Sequence, residues 1–182
     1  MRPETDTTEH EADIATAFHE TRTEAGHTLL DLVNASPVLL VFLRHFGCSF
    51  CRQSLDDVSK VQDELAHRGV RPVFVHLGSP ERAKPYFDYY KLAEVERISN
   101  PDGSLYGHPV FALPRISLLR LTFDPTVWKA WLQGALRNHG IGMIHEDATQ
   151  MPGVFFLRGP KIVDSYRFRT IADRPDYLGL ID

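Results

Sequence analysis

Val38-Leu39-Leu40-Val41-Phe42-Leu43 is an unbroken apolar run of strand length, rich in branched side chains. It lacks the in-out alternation of a half-solvated strand, so it predicts a strand over 38–43 buried on both faces. The period then changes. Cys51, Leu55, Val58, Val61 and Leu65 return every three or four residues and mark one face of a helix that starts at Cys48. Gly69 stands where helices commonly end in a left-handed residue. Pro72 to Leu77 predicts a second buried strand. Ser79-Pro80 predicts a helix with a cap and a proline at its first position, and Pro85 predicts a kink or an early end.

Toward the N-terminus, residues 1–8 are polar and predict disorder. Ile14, Phe18, Ala25, Leu29 and Leu32 keep a rough helical spacing, which predicts a helix near 9–34 that Asn34-Ala35-Ser36-Pro37 breaks. Beyond 77, Val95 to Ile98 predicts a short strand, 99–103 a turn, and 104–125 irregular chain. Asp124-Pro125 opens a helix with Trp128, Trp131, Leu132 and Ala135 directed inward, followed by a loop over 141–150. The runs 154–157 and 162–168, joined by Arg158-Gly159-Pro160-Lys161, predict a β-hairpin, and a short helix follows Asp173.

Two apolar strands joined by a helix of this length must lie parallel with a right-handed crossover, and the hairpin adds antiparallel strands. The expected fold class is α/β, with a central mixed sheet flanked by helices and the strand order 162–168, 154–157, 38–43, 73–77. Residues 9–182 read as one domain with a helical insertion at 104–150. The carboxyl end of 38–43 is where α/β sheets usually place their chemistry.

At 182 residues and 43% apolar, the chain is long and apolar enough for a sizeable core. A net charge of −4 gives no reason to expect nucleic acid or an anionic membrane as a partner, and no apolar run reaches the length of a membrane span. Met1 to Glu11 is polar and acidic and lacks the regions of a secretory signal, so a cytoplasmic location is expected. In a reducing compartment a cysteine pair cycles or stays reduced.

Cys48 and Cys51 are the only cysteines. They form a C-x-x-C pair at the start of a helix and the end of a buried strand. Unpaired N–H groups and the helix dipole stabilise a thiolate there, and Arg44, His45 and Arg52 are candidates to add positive charge. A structural disulfide is a weaker reading, because so short a loop gains little chain entropy. Zinc needs about four ligands, and no second cysteine or histidine pair supplies them. Arg52 after Cys51 excludes C-x-x-C-H haem attachment. No cofactor or metal is called for.

Cys48, at the helix start, is the expected nucleophile. Cys51, one turn in on the same face, is the expected resolving thiol. His45 is either a tuner of Cys48 or a turn residue bonded to backbone, while Phe46 and Phe50 form either an apolar rim or core. Trp128 and Trp131 at helical spacing suit core better than a ligand cage. Two function classes stay open. One is a thiol peroxidase or disulfide reductase. The other is a non-catalytic module whose disulfide switches a partner surface on 104–150.

The order strand, C-x-x-C helix, strand, helix, hairpin resembles the thioredoxin fold. That resemblance implies a cis proline before the hairpin, at Met151-Pro152, packed against the cysteine turn. Val41-Phe42-Leu43-Arg44-His45-Phe46-Gly47-Cys48, Cys51-Arg52, Pro101-Asp102-Gly103-Ser104-Leu105-Tyr106 and Met151-Pro152-Gly153-Val154-Phe155 more closely resemble the peroxiredoxin-like proteins of the AhpC/TSA type, in the branch with selenoprotein-L-like members. The similarity spans roughly residues 36–170. It implies a peroxide or disulfide substrate, an external thiol reductant of the thioredoxin or glutathione type, and a possible homodimer. It also implies an arginine from a late strand that holds the peroxide, Arg169 or Arg167, with Arg44 and Arg52 as rivals. Where the family has threonine three residues before the peroxidatic cysteine, this chain has His45.

Overall fold

The computed structural model describes residues 5–117, 123, 125–130, 143 and 146–182. Strand β1 (Val38–Phe42) lies at the centre of a five-stranded sheet. It pairs in parallel with β2 (Arg71–His76), which pairs in parallel with β3 (Glu96–Ser99). On its other side β1 pairs antiparallel with β4 (Gly153–Arg158), which forms a hairpin with β5 (Lys161–Arg167). The order β3-β2-β1-β4-β5 contains the predicted order and adds β3 beside β2.

The continuous apolar run of β1 has a simple cause. Leu39 and Val41 enter one apolar layer, and Val38, Leu40 and Phe42 enter the other. The first layer joins the sheet to α3 (Ser49–His67) and α4 (Pro80–Tyr89) through Leu55, Val58, Ala83 and Phe87. The second joins it to α1 (Thr5–Glu20), α2 (Leu29–Ala35) and α5 (Ser104–Gly107) through Phe18, Leu32 and Tyr106. All five β1 residues are buried. Truncating Phe42 to alanine should therefore cost about 3–5 kcal/mol.

The predicted helix over 9–34 is two helices. Gly26 has φ +93, Arg22 and Thr28 form an isolated β-bridge, and Ala25 is exposed. Thr28 then starts α2 with a capping box: its side chain accepts from the Asp31 N–H, and Asp31 accepts from the Thr28 N–H. This local bonding outcompetes helix continuation. Helix α1 begins at Thr5, inside the stretch read as disordered, and residues 1–4 lie outside the described residues.

Helix α3 runs as predicted from its N-cap at Cys48 and ends before Gly69, whose φ is +69. Helix α4 continues through Pro85 rather than stopping there. Within 104–125, read as irregular, the four-residue α5 forms. Helix α6 (Pro125–Ala130) lies within the predicted helix, but Trp128 is 51% exposed rather than inward. Trp131, Leu132 and Ala135 lie outside the described residues.

No helix follows Asp173. The chain turns instead, with Leu180 N–H donating to Asp176 O at 3.2 Å. It lies along α3, burying Ile171, Tyr177 and Ile181 and pairing Arg174 with the nearly buried Asp57 at 2.7 Å. Those long-range contacts, invisible in the local pattern, replace a helix. Among the described residues no helix is long and apolar enough to cross a membrane.

Candidate functional site

The site forms where β1 ends. Leu43 leaves the strand, and its N–H still reaches Val75 O at 2.8 Å. The chain then turns through Arg44, His45, Phe46 and Gly47, and Cys48 becomes the N-cap of α3. The turn is closed by Cys48 N–H donating to His45 O at 3.1 Å. Cys51 sits one helical turn further, on the same side, and both cysteines are buried free thiols.

Arg44 links the pair. Its backbone N–H donates to Cys51 Sγ at 3.3 Å, and its Nη1 lies 3.7 Å from Cys48 Sγ. Its Nη2 donates to the carbonyl of Ala148, and its Nε makes no hydrogen bond among the described residues. With 1% exposure, this is a guanidinium taken almost wholly out of water.

The two thiols are driven apart. A hydrogen bond from the Cys51 thiol lowers the Cys48 pKa, against burial, which raises it. Arg44 lowers it further, and the backbone N–H groups of Cys51 and Phe50 act in the same direction. Cys51 is pushed well up by burial and by the same hydrogen bond, which its proton makes possible. One thiol is thus stabilised as thiolate and its neighbour is kept protonated.

His45 is buried, and its Nδ1 has no hydrogen-bond partner among the described residues. Burial, then Arg44 and Arg52, push its pKa down to about 4, with Asp147 opposing weakly. It is therefore a neutral imidazole at neutral pH, set in the turn that Cys48 N–H closes on the His45 carbonyl. Arg52 engages Phe46 and Tyr86. Its Nε donates to Phe46 O at 2.8 Å, and its guanidinium lies over the Tyr86 ring at 5.0 Å. Phe46 and Phe50 are core, not rim, with Phe46 stacked on Tyr86 at 4.8 Å.

Pro152 lies at the same edge of the sheet. Gly153 pairs with Phe42, so Met151 and Pro152 run past the end of β1, and Met151 joins the apolar cluster that holds both cysteines. The expected cis bond is corrected: no cis peptide bond occurs among the described residues, so Met151–Pro152 is trans. The segment is held by backbone bonds on both sides, Met151 N–H to Pro114 O at 3.0 Å and Phe168 N–H to Pro152 O at 3.4 Å.

Arg169 is exposed, and its backbone N–H donates to Asp173. Arg167 is engaged by Phe111 O at 3.0 Å and by the Phe155 ring. The guanidinium on Cys48 is that of Arg44. The sequence reading missed Glu146, Asp147 and Ala148, which reach Arg82, Arg115 and Arg44. Nothing local distinguishes Glu146-Asp147 from a solvated loop. It also missed Tyr106, buried beneath the site with its hydroxyl on the carbonyls of Leu43 and Val75.

Several solved structures share this architecture. Peroxiredoxin Q of Xanthomonas campestris superposes with a TM-score of 0.58 at 13% identity, over 86% of both chains. Peroxidoxin BcpB of Mycobacterium tuberculosis gives 0.56 at 13% identity, over 81% of this chain and 79% of that one. Peroxiredoxin 6 of Arenicola marina gives 0.55 at 13%, over 88% and 66%. The fold is thioredoxin-like. No protein family matches the sequence, and neither does any curated protein. At this identity the thioredoxin-like fold is what the likeness establishes, and the chemistry rests on the site itself.

Proposed function

We propose that this protein is a thiol peroxidase of the AhpC/TSA peroxiredoxin-like kind, working through a Cys48–Cys51 dithiol–disulfide cycle. The observation that carries the reading is the split pair: Cys48 held toward thiolate by the Cys51 hydrogen bond and Arg44, and Cys51 held protonated. The peroxiredoxin identity of the structural neighbours agrees with it. Cys48 is 8% exposed, which suits a small oxidant better than a protein disulfide.

In the first half-reaction Cys48 thiolate attacks the terminal oxygen of a hydroperoxide. The O–O bond breaks, Cys48 becomes a sulfenic acid, and the alkoxide leaves as alcohol after taking a proton. Arg44, already at the sulfur, stabilises the negative charge on the departing oxygen. In the second, Cys51 loses its proton and its sulfur attacks Cys48 sulfur, forming the disulfide. The sulfenic hydroxide takes that proton and leaves as water. An external reductant of the thioredoxin or glutathione type returns the dithiol. His45, neutral and buried beside this chemistry, is the candidate for passing the proton. Pro152 and Arg52 shape the surroundings of the pair.

The test is hydroperoxide turnover with a thiol reductant, read beside intact mass after one equivalent of peroxide. The wild type should turn over and lose the two thiol hydrogens. Cys48→Ser should be inactive. Cys51→Ser should accumulate oxygen on Cys48. A single oxidation without turnover would favour a redox sensor instead. Oxygen gain by the wild type, with Cys51→Ser fully active, would reduce the site to one cysteine.

A further inference from the structure

Three consecutive residues just beyond the site each hold a different arginine. Glu146 pairs with Arg82 of α4 at 2.9 Å, Asp147 pairs with Arg115 at 3.0 Å, and the carbonyl of Ala148 accepts from Arg44. The last of these is the guanidinium that touches Cys48, so the Ala148 backbone stands within one guanidinium's span of the nucleophile. We propose that Glu146–Thr149 is the specificity-determining wall of the redox site, admitting hydrogen-peroxide-sized oxidants to Cys48 and excluding bulky hydroperoxides and disulfides.

The wall is anchored differently at its two ends. On one side backbone bonds fix it: Ile116 N–H to Thr149 O at 2.9 Å and Met151 N–H to Pro114 O at 3.0 Å. Gln150, 2% exposed, adds side-chain bonds to the carbonyls of Leu113 and Pro114. Thr149 also closes locally on Asp147, its N–H donating to Oδ1 at 2.8 Å. On the other side, among the described residues, it is held by side chains, the Arg44 guanidinium on the Ala148 carbonyl and two ion pairs whose arginines are partly in water, Arg82 at 39% and Arg115 at 60% exposure. Glu146 is itself 8% exposed, although the structure gives its carboxylate no hydrogen bond among the described residues. A carboxylate this deep is retained by Arg82 and lies against Gly78, where a side chain would meet Glu146 Oε1 at 3.3 Å. Behind the wall, Arg44 and His45 are 1% and 4% exposed, so little room remains for a large leaving group.

The proposal rests on Cys48 as the nucleophile, and its test reads accessibility rather than turnover. In a Cys51→Ser background, Cys48 is labelled by two uncharged reagents, iodoacetamide and biotin-maleimide. Glu146→Gln with Asp147→Asn should raise the biotin-maleimide rate roughly tenfold while iodoacetamide changes by less than about twofold. Equal changes, or none, would overturn the wall. If the double variant does not fold, the unaltered wall decides. Raising salt to about 1 M, which screens the exposed Asp147–Arg115 pair far more than the deep Glu146–Arg82 one, should selectively speed the larger reagent. No selective change there would also overturn it. A protein that labels as expected but reduces no hydroperoxide keeps the wall and loses the peroxidase reading.

Discussion

Arg44 and His45 at the end of β1, and Arg97 and His76 on β3 and β2, make two clusters of the same composition with different surroundings. Around His76 a carboxylate is present. His76 Nε2 meets Glu24 Oε1 at 2.9 Å, its Nδ1 meets Gly78 O at 2.9 Å, and Arg97 Nε meets Glu24 Oε2 at 3.0 Å. Burial alone would raise the Glu24 pKa, but His76 and then Arg97 bring it below the ordinary value. Charge is matched there, and the cluster ties the α1–α2 connection to the sheet. Asp147, the carboxylate whose charge acts on His45, is committed to Arg115. Among the described residues no carboxylate bonds directly to the Arg44 guanidinium, which meets a sulfur and a carbonyl, although its charge helps to lower the Asp147 pKa. Positive charge not bonded to a carboxylate is what a thiolate needs, so the same two residue types build a structural clamp in one place and a reactive centre in the other.

The comparison breaks most visibly at Arg44. Removing it as Arg44→Met should slow iodoacetamide labelling of Cys48 at neutral pH by about tenfold, because a neighbouring opposite charge moves an acid by roughly two pH units and Cys48 starts from a pKa of about 6. The labelling midpoint should rise toward that of an ordinary thiol. An unchanged midpoint would show that the Cys51 hydrogen bond alone sustains the thiolate.

Glu24→Gln should do the reverse. It should cost about 2 kcal/mol in urea unfolding by stranding Arg97 and His76, with the Cys48 labelling midpoint unmoved. In the wild type the depressed Glu24 pKa means that its contribution is present above the unfolded carboxylate pKa and fades as pH falls through the folded one. A shifted Cys48 midpoint in Glu24→Gln would join the two clusters into one.

His45 sharpens the contrast through pH. Its folded pKa of about 4 lies below the ordinary 6.5 of histidine, so between those values the unfolded chain binds the proton and the folded one does not. Stability should therefore fall as pH drops through that window, by on the order of 1–2 kcal/mol after allowance for solvent. His45→Gln should flatten this slope in urea unfolding followed against pH. A slope that survives the substitution would place its origin elsewhere.

The smallest effect belongs to Arg52→Gln. Its guanidinium is spent on Phe46 O and the Tyr86 ring, so the Cys48 labelling midpoint should move by less than about half a pH unit. A shift as large as that of Arg44→Met would mean that Arg52 also acts on the sulfur.

The sequence alone determined whatever depends on neighbours along the chain. The unbroken apolar run of β1 required cover on both faces, which put it at the sheet centre. The C-x-x-C spacing put both sulfurs on one helical turn, and Ser79-Pro80 and Gly69 marked helix ends. Where local bonding or distant packing overrode periodicity, the pattern misled. Thr28 and Gly26 split one helix into two, Trp128 faces outward, and Arg174 and Tyr177 draw the C-terminal chain along α3 without a helix. Four arginines flank the cysteines or the late strand on paper, and only the tertiary structure chose Arg44. Ala148 is 104 residues from Arg44 along the chain, and Glu24 is 52 from His76. Electrostatics at a buried site depend on which charges meet across such distances and which are already paired. Those meetings are set by the packing of the whole chain, whereas helix caps and strand burial are written within a few residues of where they act.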